Sequence, residues 1–295
     1  MHEDALDVPP DLIAGEIALQ APGFAGLPLT PLATGGTEMR IFRLGTAHTV
    51  RVPWQVAGAP VIDKLGRWLP GLTSHLPLAS PDIVAIGRAT AALPLPWIIQ
   101  TWLPGTDADR APMADPLRTA DALADFVSAL QSRPVPEDAP KGSRGGPLGL
   151  HDARFRTGLS EVRTLDLADA DAAEAIWTRG LTAPPYAGPP VWLHGDLMPA
   201  NLVLQNGDLT GILDWNCMGA GDPAYDLIPA WFLFDAAARD RFRARLAPDD
   251  AMWDRARARV AWQATLALPY YRDTNPVMMR QARRGLAEAI ADLGL

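Results

Sequence analysis

The chain has a single cysteine, Cys217, among 295 residues. That excludes an internal disulfide framework and fits a reducing compartment; an inert buried thiol is its commonest fate. No apolar run approaches the roughly 20 residues needed to span a bilayer, so a membrane partner is not expected. The opening "MHEDALDVPP" lacks the basic start and apolar stretch of a secretory signal, which makes the cytoplasm the expected location. Positive charge is in deficit, the formal net charge being -8. This argues against a nucleic-acid binder that works by neutralising phosphates, while leaving room for a local nucleotide pocket. No histidine follows His194, so His194-x-Asp196 has no later histidine to complete an iron or zinc site. A Gly-x-Ser-x-Gly elbow, the mark of many serine hydrolases, is also missing. No internal repeat is evident, and nothing points to an obligate protein partner.

What remains is an ordinary globular composition, 48% apolar and 20% charged, long enough for two modest domains or one domain of two lobes. "DLIAGEIALQ" (11–20) has helical spacing. Strand-like runs follow at Met39 to Leu44 and Thr49 to Val52, around a turn containing Gly45. "PVIDKLGRWLPGL" (60–72) predicts a helix ending near Pro70. "PDIVAIGRAT" and "PLPWIIQTWLPG" predict two more strands, the second stopping at Pro104-Gly105. Beyond it helices dominate. Asp115 and Pro116 start one as N-cap and first residue, with Leu117, Ala120, Leu123, Ala124, Val127 and Leu130 on one face. Residues 134–149, rich in Pro and Gly, read as a loop. Three or four helices are expected over 223–293, one opening at Asn275-Pro276. The expected organisation is an α+β fold, with a small β-rich N-terminal lobe (1–103) and a larger helical C-terminal lobe (104–295). A cleft between lobes is a favoured ligand site.

The stretch "HGDLMPANLVLQNGDLTGILDW" (194–215) carries the chemistry. Asn206-Gly207 between two apolar runs is a strong hairpin signal. With Gln205 opposite Asp208, a regular ladder sets Asn201 opposite Ile212. Asp214, two residues further, then shares the face of Asn201. Diagonal neighbours of this kind have Cβ atoms roughly 7 Å apart, close enough for both to reach one divalent ion at about 2 Å. Asp196, in the loop before Asn201, can overhang the same point. A surface hairpin with polar ends is the plain alternative; the ordered set of three groups distinguishes the two.

"HGDLMPAN", "ILDW" and "GAGDPAYDL", in that order and spacing, resemble the catalytic core of the aminoglycoside and macrolide phosphotransferases, which have the protein-kinase-like fold. The resemblance extends more loosely through "VRVP", "RWLP" and "WLPG". It implies Mg²⁺-dependent transfer of the γ-phosphate of ATP or GTP to a hydroxyl of a small molecule. Asp196 would be the base, Asn201 and Asp214 the Mg²⁺ ligands, and His194 a structural tie. Asp222 and Asp226 would brace the loop, although Asp222-Pro223 also reads as an ordinary helix start. Gly35 and Gly36 resemble a phosphate turn, and Arg51 the basic strand residue on the phosphates. The strand holding Gln100 and Trp102 would meet the base through its main chain, which does not separate ATP from GTP. One departure is plain: Leu65 stands where the family's helix glutamate would pair with Arg51. Asp63 lies roughly 200° round that helix, and Glu38 is another candidate partner. The C-terminal aromatics (Trp231, Phe232, Phe234, Trp253, Trp262, Tyr270, Tyr271) and acids (Asp235, Asp249, Asp250, Asp273) would suit an amine-bearing sugar, although aromatics at helical spacing are usually core. A metabolic kinase for choline, a sugar or an amino alcohol is an alternative. So is a kinase-like nucleotide binder with little activity.

Overall fold

The computed structural model describes residues 6–32, 39–142 and 144–294. It divides into two compact units, Met1–His75 with Ala79–Pro104, and Leu76–Leu78 with Gly105–Leu295.

The first unit opens with α1 (Pro10–Gln20), which has proline at its first position, where the missing N–H has no partner to lose. Its strands are β1 (Leu29–Pro31), β2 (Met39–Leu44), β3 (His48–Pro53), β4 (Ile83–Gly87) and β5 (Trp97–Thr101). They form an antiparallel sheet in the order β1-β2-β3-β5-β4. Side-chain alternation sends Phe42, Leu44, Val50, Val52, Trp97 and Ile99 into one core with Ile13 and Ile17 of α1. It sends Arg51 and Gln100 to the opposite face.

Between β3 and β4 lies α2 (Ala59–Thr73), and Pro70 sits inside it rather than ending it. Proline forfeits one backbone bond and presses on the residue four earlier, which here is Gly66. The helix runs on far enough for Leu72 to be buried with Ile62, Leu65 and Leu69, and Thr73 Oγ1 donates to the Leu69 carbonyl at 2.9 Å. Strand β5 stops at Thr101, short of Pro104.

The second unit holds β6 (Thr106–Asp107), α3 (Pro116–Gln131), α4 (Asp152–Thr164) and α5 (Ala170–Thr182). Then come β7 (Val191–Leu193), β8 (Leu202–Gln205), β9 (Asp208–Ile212) and β10 (Gly219–Gly221). It closes with α6 (Pro229–Phe232), α7 (Ala236–Leu246), α8 (Asp250–Tyr271) and α9 (Pro276–Leu293). Asp115 caps α3 by accepting from the N–H of Leu117 and Arg118 at 3.0 and 3.1 Å, and Asn275 caps α9 in the same manner. Leu117 departs from expectation. It is 48% exposed, whereas Phe126 is buried on the face that meets the core.

Helix α8 is the axis of this unit, packed by α4, α5 and α9. Trp231, Phe232, Phe234, Trp253 and Trp262 are buried, so they build this core and are not a ligand surface; Tyr270 is exposed. The acids of this region cap or pair: Asp235 and Asp249 cap α7 and α8, while Asp250 and Asp273 bind Arg243 and Arg272. Among the described residues no helix is long and apolar enough to cross a membrane.

Candidate active site

The site grows from β7, which pairs antiparallel with β10 and delivers His194, Gly195 and Asp196 at its end. Gly195 has φ +79°, and a Cβ there would lie 2.6 Å from the Cys217 carbonyl oxygen. Only glycine takes this turn without strain. The two N–H groups exposed by the turn, of His194 and Gly195, donate to the two carboxylate oxygens of Asp226 at 2.7 and 2.8 Å. Burial pushes the Asp226 carboxyl up to about 7, against the pull of those bonds.

His194 is wholly buried, and desolvation lowers its pKa. Its tautomer follows from its partners. The Leu213 carbonyl at 2.9 Å can only accept, so Nε2 carries the proton; the Asp196 N–H at 3.2 Å can only donate, so Nδ1 is the acceptor. A neutral ring thus ties the loop of Asp196 to the end of β9.

The hairpin turns at Asn206-Gly207, both with positive φ, and Gln205 faces Asp208 as the turn chemistry predicts. The regular ladder does not continue. Leu204 faces Leu209, but Val203 faces Gly211 and Leu202 faces Ile212, so Thr210 is an extra residue, a β-bulge. Its hydroxyl donates to the Val203 carbonyl at 3.3 Å. The expected pairing of Asn201 with Ile212 is therefore displaced by one residue: the Leu213 N–H donates to the Asn201 carbonyl at 2.8 Å. Asp214 follows immediately, in the left-handed conformation at φ 59°, ψ 68°, which aspartate tolerates better than most residues. Bulge and turn, rather than simple alternation, bring Asp214 beside Asn201. The Asn201 Nδ2 donates to the Asp196 carbonyl at 2.9 Å and to its Oδ2 at 3.2 Å. Asp196, Asn201 and Asp214 are thus gathered around His194 and Leu213.

Several neighbours were not legible as site residues. Arg144, from the Pro/Gly loop, forms an ion pair with Asp196 Oδ1. Burial opposes its charge, yet Tyr225 and Asp196 hold its pKa well above the ordinary value. Asp222 caps a short 3-10 turn through the Ala224 N–H at 3.0 Å, as the Asp-Pro signal predicts. It also takes Arg255 at 2.9 and 3.3 Å. The one sequence signal for this cluster is its glycines, Gly142, Gly145 and Gly146 beside Arg144 and Gly219 and Gly221 across from them, which mark close backbone approach.

In the first unit, Arg51 and Gln100 are buried on one face of the sheet, Arg51 opposite Ile98 and Gln100 opposite Thr49. The N–H groups of Thr101 and Trp102 donate to Asp82 and Ala47 carbonyls at 2.9 and 2.8 Å, and the Arg43 guanidinium lies 3.8 Å over the Trp102 ring. Leu65 is fully buried. Gly35, Gly36 and Glu38 lie outside the described residues.

With this geometry in view, residues 30–261 match the family model described as "Phosphotransferase enzyme family". An aminoglycoside 3'-phosphotransferase of Escherichia coli is 26% identical over 166 residues, 51% of this chain and 61% of that protein. One of Salmonella typhimurium matches equally. The chain thus spans about three-fifths of the length of these curated relatives. Among solved structures, the GDP complex of an aminoglycoside 2'-phosphotransferase-IIIa superposes with a TM-score of 0.73 at 20% identity, covering 97% of this chain and 100% of that one. A macrolide 2'-phosphotransferase from Brachybacterium faecium gives 0.61 at 20% identity, covering 94% and 97%.

Proposed function

The chain belongs to the phosphotransferase enzyme family, with its protein-kinase-like α+β fold, and from that membership we propose that it moves the γ-phosphoryl group of ATP or GTP onto a hydroxyl of a small molecule. The acceptor class favoured by its relatives' names is an aminoglycoside or macrolide. One observation carries the reading: Asp196 stands on a loop locked by His194 and Asp226, with Asn201 bonded to it and Asp214 next to Asn201's backbone partner.

Asp196 receives the proton of the attacking hydroxyl. The new bond forms between that oxygen and the γ-phosphorus as the bond from γ-phosphorus to the bridging oxygen breaks, and the nucleoside diphosphate leaves with the electron pair. Little covalent work falls to the protein; positioning and charge do most of it. Each Asp196 oxygen has a second lone pair beyond the bonds to Arg144 and Asn201, so either can take the proton. Arg51 and the backbone around Gln100 and Trp102 would hold the nucleotide. Since the N–H groups of Thr101 and Trp102 are engaged in the sheet, bonds to the base fall to the carbonyls of this segment and to the Leu103 N–H.

The donor set suits Mg²⁺. Asn201 spends its Nδ2 on Asp196, which turns the oxygen Oδ1 into its ligand end, and Asp214 offers a carboxylate beside it. Among the described residues no group of three His, Cys, Asp or Glu side chains could hold a metal by itself, so phosphate and water oxygens would complete the shell, as is usual for this ion. Bound there, Mg²⁺ would supply charge neutralisation between the nucleotide phosphates.

The test is turnover of ATP and GTP with kanamycin, erythromycin and choline as acceptors, with Mg²⁺ and with excess EDTA. Phosphorylation of at least one acceptor that disappears in Asp196→Ala, in Asp214→Ala and in EDTA is expected. Nucleotide binding without Asp196-dependent turnover would instead favour a binding protein of this fold, the reading that buried Leu65 in place of a glutamate supports.

A further inference from the structure

A carboxylate that receives a proton works only if its plane is held, and an Asp rotates broadly about its last bond. Asn201 Nδ2 restrains Oδ2, at 3.2 Å. The intervening loop, Leu197, Met198, Pro199 and Ala200, has no side-chain charge to restrain the other oxygen. That restraint arrives from a distant segment as the Arg144 guanidinium on Oδ1.

The segment around Arg144 is built like a strap. The Gly142 N–H donates to the Ala220 carbonyl at 2.9 Å, the Ala220 N–H to Pro140 at 2.7 Å, and the Asp222 N–H to Gly145 at 3.0 Å. Pro140, Lys141 and Gly142, and then Gly145, therefore lie along β10 as an extra edge. The fit has no slack: a Cβ on Gly145 would sit 3.1 Å from the Gly221 Cα, and one on Gly219 would sit 2.5 Å from the Gly142 Cα. On its inner side the strap is pinned by Arg259 of α8, which is fully buried. Its Nη1 donates to the carbonyl of Arg144 itself at 2.8 Å and its Nη2 to that of Gly146 at 2.7 Å. A buried arginine whose planar fork spans two carbonyls, one of them that of the residue touching the base, fixes where the Arg144 side chain begins.

Resting on the reading of Asp196 as the base, we propose that Arg144 is a positioning residue for phosphoryl transfer. Carried on a strap locked by β10 and Arg259, it holds the Asp196 carboxylate in the orientation that accepts the hydroxyl proton. Arg259 acts through it.

The experiment compares Arg144→Ala, Arg144→Lys, Arg259→Lys and the double variant Arg144→Ala/Arg259→Lys with the unmutated protein. It measures ATP and GTP turnover, with kanamycin and with water alone as acceptor, after circular dichroism has shown each variant folded. Arg144→Ala should lower kcat by about 10²-fold, the scale of a small misplacement of a catalytic group, and leave the nucleotide KM unchanged. Millimolar guanidinium should restore part of the loss, and Arg144→Lys, a point charge in place of a fork, should fall between. Arg259→Lys should lower kcat alone but add nothing in the Arg144→Ala background, because the two lie in one chain of contacts. The proposal is overturned by a kcat that is unchanged or raised in Arg144→Ala, by a loss confined to KM, or by additive losses in the double variant. Asp196→Asn separates the two levels: if it abolishes turnover while Arg144→Ala does not, only this proposal falls. If no Asp196-dependent turnover exists at all, the base itself was misassigned and the proposal goes with it.

Discussion

Asp226→Asn is the perturbation whose consequence the structure defines most closely. The Asp226 carboxylate takes the N–H of His194 at 2.7 Å and of Gly195 at 2.8 Å, and all three groups are buried. Asparagine keeps one acceptor oxygen but turns an NH₂ toward the second N–H. One buried donor left unpaired costs about 1–3 kcal/mol, and Asp226→Ala, which strands both, costs about twice that. The sign with pH is opposite to the usual carboxylate case. Burial raises the folded carboxyl to about 7, with the charge of Asp196 adding to the effect, whereas an unfolded aspartate titrates near 3.9. Between these values the native protein keeps a proton that the unfolded chain has released. The stability due to this group is complete below the unfolded pKa and drains away as pH rises toward 7.

Asparagine does not titrate, so the margin of the unmutated protein over Asp226→Asn should be widest in acid and narrow as pH rises. The slope is about 1.4 kcal/mol per pH unit well below the folded value and half that at it, which gives about 2 kcal/mol between pH 5 and 7, levelling above that. Urea unfolding at pH 5, 6, 7 and 8, with midpoints and slopes fitted for both proteins, measures it, since other titrating groups cancel in the difference. A margin that stays flat or widens over this range would refute the reasoning. It would mean that the two N–H bonds outweigh burial and keep Asp226 ionised.

Gly207, Gly195 and Asp292 each define a further outcome. Gly207→Ala places a side chain at φ +84° with its Cβ 2.6 Å from the Ala114 Cβ, and should destabilise by roughly 1–3 kcal/mol in urea; unchanged stability would mean the hairpin turn yields. Gly195→Ala puts a Cβ 2.6 Å from the Cys217 carbonyl oxygen at φ +79°, so turnover should fall further than stability. Equal kcat in the folded variant would show that the Asp196 loop is not held by this turn. Asp292→Ala removes the acceptor of Arg257 at 2.9 and 2.6 Å and of the Trp231 and Trp253 indoles at 3.2 and 3.1 Å, leaving the buried Arg257 with its Asp254 bond at 2.7 Å and unpaired donors beside it, at a cost of about 1–3 kcal/mol. Burial would raise the Asp292 carboxyl but Arg257 lowers it, so the margin over Asp292→Ala should hold at neutral pH and shrink only as pH drops below the ordinary carboxylate range. A melting-temperature gap that closes near pH 6 would contradict this.

What the sequence made legible is what local chemistry controls. Asp115-Pro116 and Asn275-Pro276 start helices because a side-chain acceptor and a pre-set φ act within three residues. Asn206-Gly207 turns a hairpin because both residues accept positive φ. The illegible parts depend on distant partners. Pro70 reads as a helix end until the burial of Leu72 is known. Arg255, Arg257 and Arg259, every second residue of α8, look like solvated charge, yet all are buried, each with carboxylates or carbonyls brought from elsewhere in the chain. Arg144, in a stretch that reads as loop, takes its place from Ala220 and Arg259, which are 76 and 115 residues away in the chain, and no periodicity encodes such a pairing.

Asp214 is placed by two departures from regular strand geometry. Strict alternation across the hairpin sets Asn201 and Asp214 on one face, but the bulge at Thr210 shifts the ladder by one residue, and one residue reverses facing. An extended Asp214 would then point away from Asn201. The left-handed backbone at Asp214 turns the chain at that point, while the Leu213 carbonyl is held by His194 and its N–H by Asn201. Two local departures, one in register and one in dihedral angle, thus offset each other. Neither is visible in the pattern of polar and apolar residues.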